Sequence, residues 1–166
     1  FPAYLIGAPL AEWPGERWLD IRRANDLMTI MRTRLDLAQT KGCDGVDPDN
    51  LDGYLTDSGF NLNPQDALAY ATWLANESHA RGLAIGLKNN LLQAAELEPF
   101  FDWVLNEECF QYDECDPLDV FIAANKPAFV IEYSGNPAEV CPIANTRNFD
   151  ALFKPLDLSA ARTACR

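Results

Sequence analysis

Apolar residues recur along this chain in two rhythms that take turns. Arg17-Trp-Leu-Asp-Ile-Arg22 has the short pattern of a strand, and the next segment places Leu27, Met28, Met31, Leu35 and Ala38 on one helical stripe. Lys41-Gly42 stops that helix, and a brief apolar run from Cys43 to Val46 reads as a second strand. Asn63-Pro64 opens the next helix, with Asn63 as N-cap, Pro64 at the first helical position and Asp66 near the exposed amides. Ala67, Tyr70, Ala71, Leu74 and Ser78 supply its inward face, and Gly82 ends it. Further strands are expected at Leu83 to Lys88, Phe101 to Leu105, Pro127 to Glu132 and Asn148 to Phe153. Helical stretches fall between them, around Leu91 to Leu97, Pro117 to Ala124 and Pro137 to Ala144.

Short apolar runs separated by helices indicate an α/β fold whose parallel strands are covered on both faces. Polar chemistry gathers just after the strands: Asp47 and Asp49, Lys88 and Asn89, Asn106 and Glu107, Glu132 and Tyr133. A (β/α) TIM-type barrel builds its active site there, and an open doubly wound sheet also binds ligands at strand C-termini. No glycine-rich phosphate loop follows any strand, so no nucleotide cofactor is expected and the barrel is preferred. No repeat, linker or low-complexity segment divides the sequence, and 166 residues suit one domain.

Charge narrows the partners. A net charge of −12 argues against nucleic acid, whose phosphates need clustered Lys and Arg. It suits a cationic ligand or a highly soluble secreted protein. No apolar run approaches the roughly 20 residues of a membrane span, and no signal peptide opens the chain. The start at Phe1-Pro2-Ala3 is that of a mature or truncated form.

Five cysteines are many for a cytosolic protein of this size. Their spacing fits no zinc site, and His79 is the only histidine, so no metal is expected. Cys109 and Cys115 are close enough in sequence to close a small loop, and Cys141 and Cys165 to tie down the C-terminal tail. Cys43 is then left over. Asn76-Glu77-Ser78 is a glycosylation sequon, weak by itself. Extracellular residence is the expectation.

The most informative segment is Gly42-Cys-Asp-Gly-Val-Asp-Pro-Asp-Asn-Leu-Asp-Gly-Tyr54, where a strand empties into Asp44, Asp47, Asp49 and Asp52. Alternation points Asp47 and Asp49 the same way. Phe101-Asp-Trp-Val-Leu-Asn-Glu-Glu-Cys109 repeats the design, with Asn106, Glu107 and Glu108 at the exit. Acids at two strand ends suggest a carboxylate pair for acid–base or nucleophilic work. An EF-hand reading fails, because Leu51 occupies a ligand position and no Glu closes the loop.

These motifs, with Trp18-Leu-Asp-Ile-Arg22, His79-Ala-Arg-Gly-Leu83 and Gly86-Leu-Lys-Asn89, occur in the order of a known family. From about Trp13 to Cys165 the chain resembles glycoside hydrolase family 114, the endo-α-1,4-polygalactosaminidases, whose fold is a TIM-type barrel. The resemblance implies a secreted enzyme without cofactor, cleaving internal α-1,4 links of a cationic, galactosamine-containing polysaccharide. It places the catalytic acids on Asp49 and Glu107. Comparison with other retaining barrels makes Asp49 the nucleophile and Glu107 the acid/base. Asp47, Asp20, Lys88, Asn106, Glu132, Tyr54 and Tyr133 are the candidate substrate-binding residues, although Asp20 with Arg22 equally suits a structural ion pair. Hydrolysis of another α-linked glycan and a non-catalytic carbohydrate-binding remnant are the alternative functions. Two departures stand out. The family usually has Glu where this chain has Asp47. Its barrels have eight strands, of which this chain is expected to supply strands three to eight, lacking the first two β/α units. A preceding segment or a second chain would then complete the barrel, and a cysteine there would be a partner for Cys43.

Overall fold

The structure, a computed structural model, describes residues 1–11 and 13–166. These form two units: Phe1–Val46 with Asn50–Ile85, and Asp47–Asp49 with Gly86–Arg166.

In the first unit, β1 (Ile6–Pro9) and β2 (Arg17–Leu19) pair antiparallel, Ile6 opposite Leu19 and Pro9 opposite Arg17. The strand expected at Arg17–Arg22 is therefore shorter and lies outside the parallel series. The Arg17 guanidinium donates twice to the Gly7 carbonyl, from Nε at 2.9 Å and Nη2 at 2.6 Å, which secures the pairing. Sequence pattern missed β1 because Gly7 and Pro9 interrupt any alternation. Gly7 is required there, since a Cβ would lie 2.2 Å from the Ser58 carbonyl oxygen.

Helix α1 (Ala24–Thr40) turns Leu27 and Leu35 inward and is followed by Gly42 at φ +75°. Helix α2 (Pro64–His79) begins with a capping box. Asn63 Oδ1 accepts from the Gln65 and Asp66 amides at 2.9 and 3.0 Å, and Asp66 Oδ2 accepts from the Asn63 amide at 3.0 Å. Glu77 joins the helices, taking one bond from Arg32 and one from Arg81, both 2.7 Å. The sequon lies inside α2, where Ser78 is buried and donates to the Leu74 carbonyl. Strand β3 is only Gly45–Val46, paired in parallel with the first two residues of β4 (Ala84–Lys88).

In the second unit, the last three residues of β4 pair with β5 (Trp103–Glu107), β5 with β6 (Ala128–Glu132), and β6 with β7 (Asp150–Phe153), all in parallel. Helices α3 (Ala94–Leu97), α4 (Asp119–Ala123) and α5 (Pro137–Thr146) make the connections. A short β8 (Thr163–Ala164) returns antiparallel on β7, and no periodicity announced it. Alternation buries Leu87, Val104, Asn106, Ala128, Val130 and Glu132. Two polar residues thus occupy core positions near strand ends. β5 runs two residues later than expected, because the 3-10 turn Glu98–Phe100 uses up the preceding residues. Asn106 and Glu107 are consequently held by ladder pairing, opposite Val130 and Ile131.

Disulfides join Cys109 to Cys115 and Cys141 to Cys165, with Cα atoms 4.8 and 4.9 Å apart. Cys43 is a free, exposed thiol.

Candidate active site

Three consecutive parallel strands deliver polar side chains at their C-terminal ends in the second unit. The chain leaves β3 through Asp47-Pro48-Asp49, and Asn50 turns it with φ +57°. Lys88 is the last residue of β4, Glu107 the last of β5, and Glu132 the last of β6. Asparagine at 50, 89 and 90 accommodates the left-handed conformation these exits require, and Glu108 also adopts it, at φ +66°.

Lys88 organises the centre. Its Nζ lies 2.8 Å from Asp49 Oδ2 and 3.2 Å from Glu107 Oε2. The two bridged oxygens are therefore within about 6 Å of each other. Glu107 is gripped on both oxygens. Asn89 Nδ2 donates to Oε2 at 3.2 Å, and the Tyr133 hydroxyl donates to Oε1. Asn89 Oδ1 in turn accepts from the Glu107 amide at 2.9 Å and from Asn106 Nδ2 at 3.2 Å. Those bonds fix both amide orientations and leave Asn106 Oδ1 buried without a hydrogen-bond partner.

Electrostatics separate the acids. Burial opposes ionisation of Glu107, but donation from Tyr133, Asn89 and Lys88 prevails and brings its pKa below the ordinary value. Burial pulls Lys88 down, and Asp49 and Glu107 more than restore it. Tyr133 is pushed up, first by burial and then by Glu107. Asp47 goes the other way, to about 6: desolvation of its carboxyl leads, Asp49 and Glu107 add repulsion, and Lys88 opposes. Asp47 is exposed as a residue, so water screens part of that effect.

Gly86 makes room for this corner. A Cβ there would stand 2.1 Å from Trp103 Nε1 and 2.5 Å from Asp47 Oδ1. A lone glycine inside an apolar strand is the signal for such close approach. Gly86 and Trp103 were given no role from the sequence, and Asn89 was named only as a polar residue at a strand exit. Asn89 had a legible signal, an Asn-Asn pair at a strand exit.

Asp49, Glu107, Asp47, Lys88, Asn106 and Tyr133 are thus placed at the strand exits of one unit. Glu132 ends a strand of that unit too, but its side chain is buried against backbone amides: Phe110 N–H donates to Oε1 at 3.0 Å. Asp20 and Tyr54 belong to the first unit. Asp20 is buried and accepts from Arg22 at 2.7 and 2.9 Å, which holds its pKa down, and Tyr54 lies in the 3-10 turn Gly53–Leu55. No group of three or more metal-ligating side chains occurs among the described residues.

Residues 1–166 match glycoside-hydrolase family GH114. The chain belongs to that family. It is a glycoside hydrolase with a (β/α) TIM-type fold, and Asp49 and Glu107 share one lysine at its parallel strand ends. The crystal structure of Aspergillus fumigatus Ega3 in complex with galactosamine is 40% identical, with a TM-score of 0.92 over 99% of this chain and 70% of that one. The glycoside hydrolase domain of PelA from Pseudomonas aeruginosa has a TM-score of 0.67 over 98% of this GH114 chain and 72% of that one. At 15% identity, that likeness concerns the fold alone. No curated protein matches the sequence.

Proposed function

We propose that this GH114 chain hydrolyses internal α-1,4 links between galactosamine units of a polysaccharide, using Asp49 and Glu107 as its carboxylate pair. The observation that carries the reading is the Lys88 bridge, which brings one oxygen of each acid within about 6 Å of the other, close enough to flank a single glycosidic bond. The galactosamine complex of Ega3 supports the sugar, and the net charge of −12 supports a cationic polymer.

In this mechanism Asp49, whose side chain is 52% exposed, attacks the anomeric carbon. Glu107 gives a proton to the departing glycosidic oxygen and later takes one from the water that releases the glycosyl intermediate. The Tyr133 hydroxyl and Asn89 amide stabilise Glu107 as the anion its base step needs. Because they lower its pKa, the acid step draws on a protonated fraction that shrinks as pH rises. Asp47 faces the same site and pairs with a sugar ammonium when ionised. Residues 1–166 are read as one catalytic domain, since the family match runs through both units. Two disulfides support a secreted enzyme. No helix among the described residues is long and apolar enough to cross a membrane.

Replacing either acid by its amide keeps the shape and removes the chemistry. Asp49→Asn and Glu107→Gln should each lower turnover on polygalactosamine by at least about 100-fold. Near-normal turnover in either variant, with the circular dichroism spectrum intact, refutes the pair.

A further inference from the structure

Glu132 has no place in the mechanism above, yet it is a carboxylate only 1% exposed at the end of a strand that borders the site. Burying a charge is costly unless donors meet it. Here the donors are backbone: the Phe110 amide donates to Oε1 at 3.0 Å, and burial, which raises the carboxyl's pKa, is opposed by the Phe110 and Gln111 amides. Successive main-chain N–H groups converging on an anion form a strong, charge-assisted grip. Those amides belong to the loop that leaves β5 immediately after Glu107. That loop turns through Glu108, whose amide makes the last ladder bond to the Ile131 carbonyl at 2.8 Å, and is closed by the Cys109–Cys115 disulfide.

Three consecutive residues at the exit of β6 hold the exit of β5. The Glu132 carboxyl takes the Phe110 and Gln111 amides, the Tyr133 hydroxyl donates to Glu107 Oε1, and the Ser134 hydroxyl bonds the Gln111 side-chain oxygen. Beyond Glu108 the loop makes no ladder bond to β6, so the buried anchor, with the disulfide, sets its height. We infer that Glu132 is a positioning residue, fixing the β5 exit loop so that Tyr133 and Glu107 meet in hydrogen-bonding contact. It acts through Glu107 and touches no substrate. The inference rests on Glu107 being a working carboxylate, as proposed above.

The groups facing Glu107 are Lys88 from β4, Asp49 and Asp47 from the β3 exit, and Tyr133 from the β6 exit; Glu108 faces Glu132. Glu132→Gln keeps one accepting oxygen, turns the other into an N–H₂ donor and removes the charge, which loosens the clasp. Its plateau kcat on polygalactosamine should fall roughly 10- to 100-fold with little change in KM. The decline of kcat with rising pH should move to higher pH by at least about half a unit, because Glu107 loses part of the Tyr133 donation that favours its anion. In a Tyr133→Phe background the same substitution should leave that limb in place. Ser134→Ala, an exposed member of the clasp, should move the limb the same way by less and provides the test if Glu132→Gln fails to fold. A lower melting temperature with an unmoved pH limb would make Glu132 a purely structural residue and overturn the inference. A raised KM at unchanged kcat would instead make it a substrate contact. Full activity of Glu107→Gln is a separate result, which removes the underlying pair rather than the clasp alone.

Discussion

A single ammonium, Lys88, bridges one carboxylate oxygen of Asp49 and one of Glu107, and the acids around it differ in what surrounds them. Glu107 has three donors and ionises readily; Asp47, against the Gly86 backbone and beside two anions, does not. At mildly acidic pH Asp47 is therefore neutral, and the site avoids holding three charges around one lysine. Its folded pKa is raised, so the carboxylate forms only as pH climbs through about 6. The KM of the wild-type enzyme for a free-amine substrate should accordingly fall as pH rises through that value. Asp47→Asn should flatten the dependence and leave KM below it within about threefold of wild type. Measuring KM from pH 4.5 to 7.5 for both proteins decides it; identical profiles would remove Asp47 from substrate binding.

Among the elements, α1 and α2 show how a surface can be tied by charge as well as by an apolar face. Glu77 receives Arg32 and Arg81, and these bonds bring its pKa down to about 2. A carboxylate depressed in the folded state stabilises above its unfolded pKa, near 4.3, and loses that contribution as pH falls towards about 2. Glu77→Gln should cost on the order of 1 kcal/mol at pH 7, modest because water reaches the pair, and almost nothing near pH 2. Urea titrations at both pH values check this, and an equal cost at the two would show that the effect is not ionic. At β5, two residues of register decide where chemistry sits. The strand's late start puts Asn106 and Glu107 inside the ladder, where backbone pairing orients them more firmly than a loop would.

For the whole molecule, a charge of −12 repels anionic polymers and draws cationic ones, with an attraction that salt screens. The enzyme should cleave free-amine galactosaminoglycan in preference to its fully N-acetylated form, and KM for the former should rise several-fold between about 50 and 300 mM salt. Equal cleavage of both polymers at low salt would show that the substrate need not be cationic, and would favour a wider α-glycan specificity.

Legibility followed the range of the interactions involved. Helices α1 and α2 were readable because stop, cap and stripe residues lie within a few positions of one another, as Asn63 and Asp66 do. Asp49 and Glu107 stood out as candidates because clustered like charges after a strand are conspicuous in any sequence, and the structure places both on Lys88. The antiparallel partner of Arg17, the short β8 and the roles of Gly86 and Asn89 were not, since each depends on a neighbour brought from elsewhere in the chain. Glu132 is the clearest instance. Its sequence position gives a strand-exit acid indistinguishable from Glu107; folding buries it and turns it onto backbone amides. The sequence by itself determined which residues can carry charge and which strand ends they occupy. Only the tertiary structure decided which carboxylates meet Lys88 and Tyr133 and which is buried, because desolvation and hydrogen bonding arise from groups far apart along the chain.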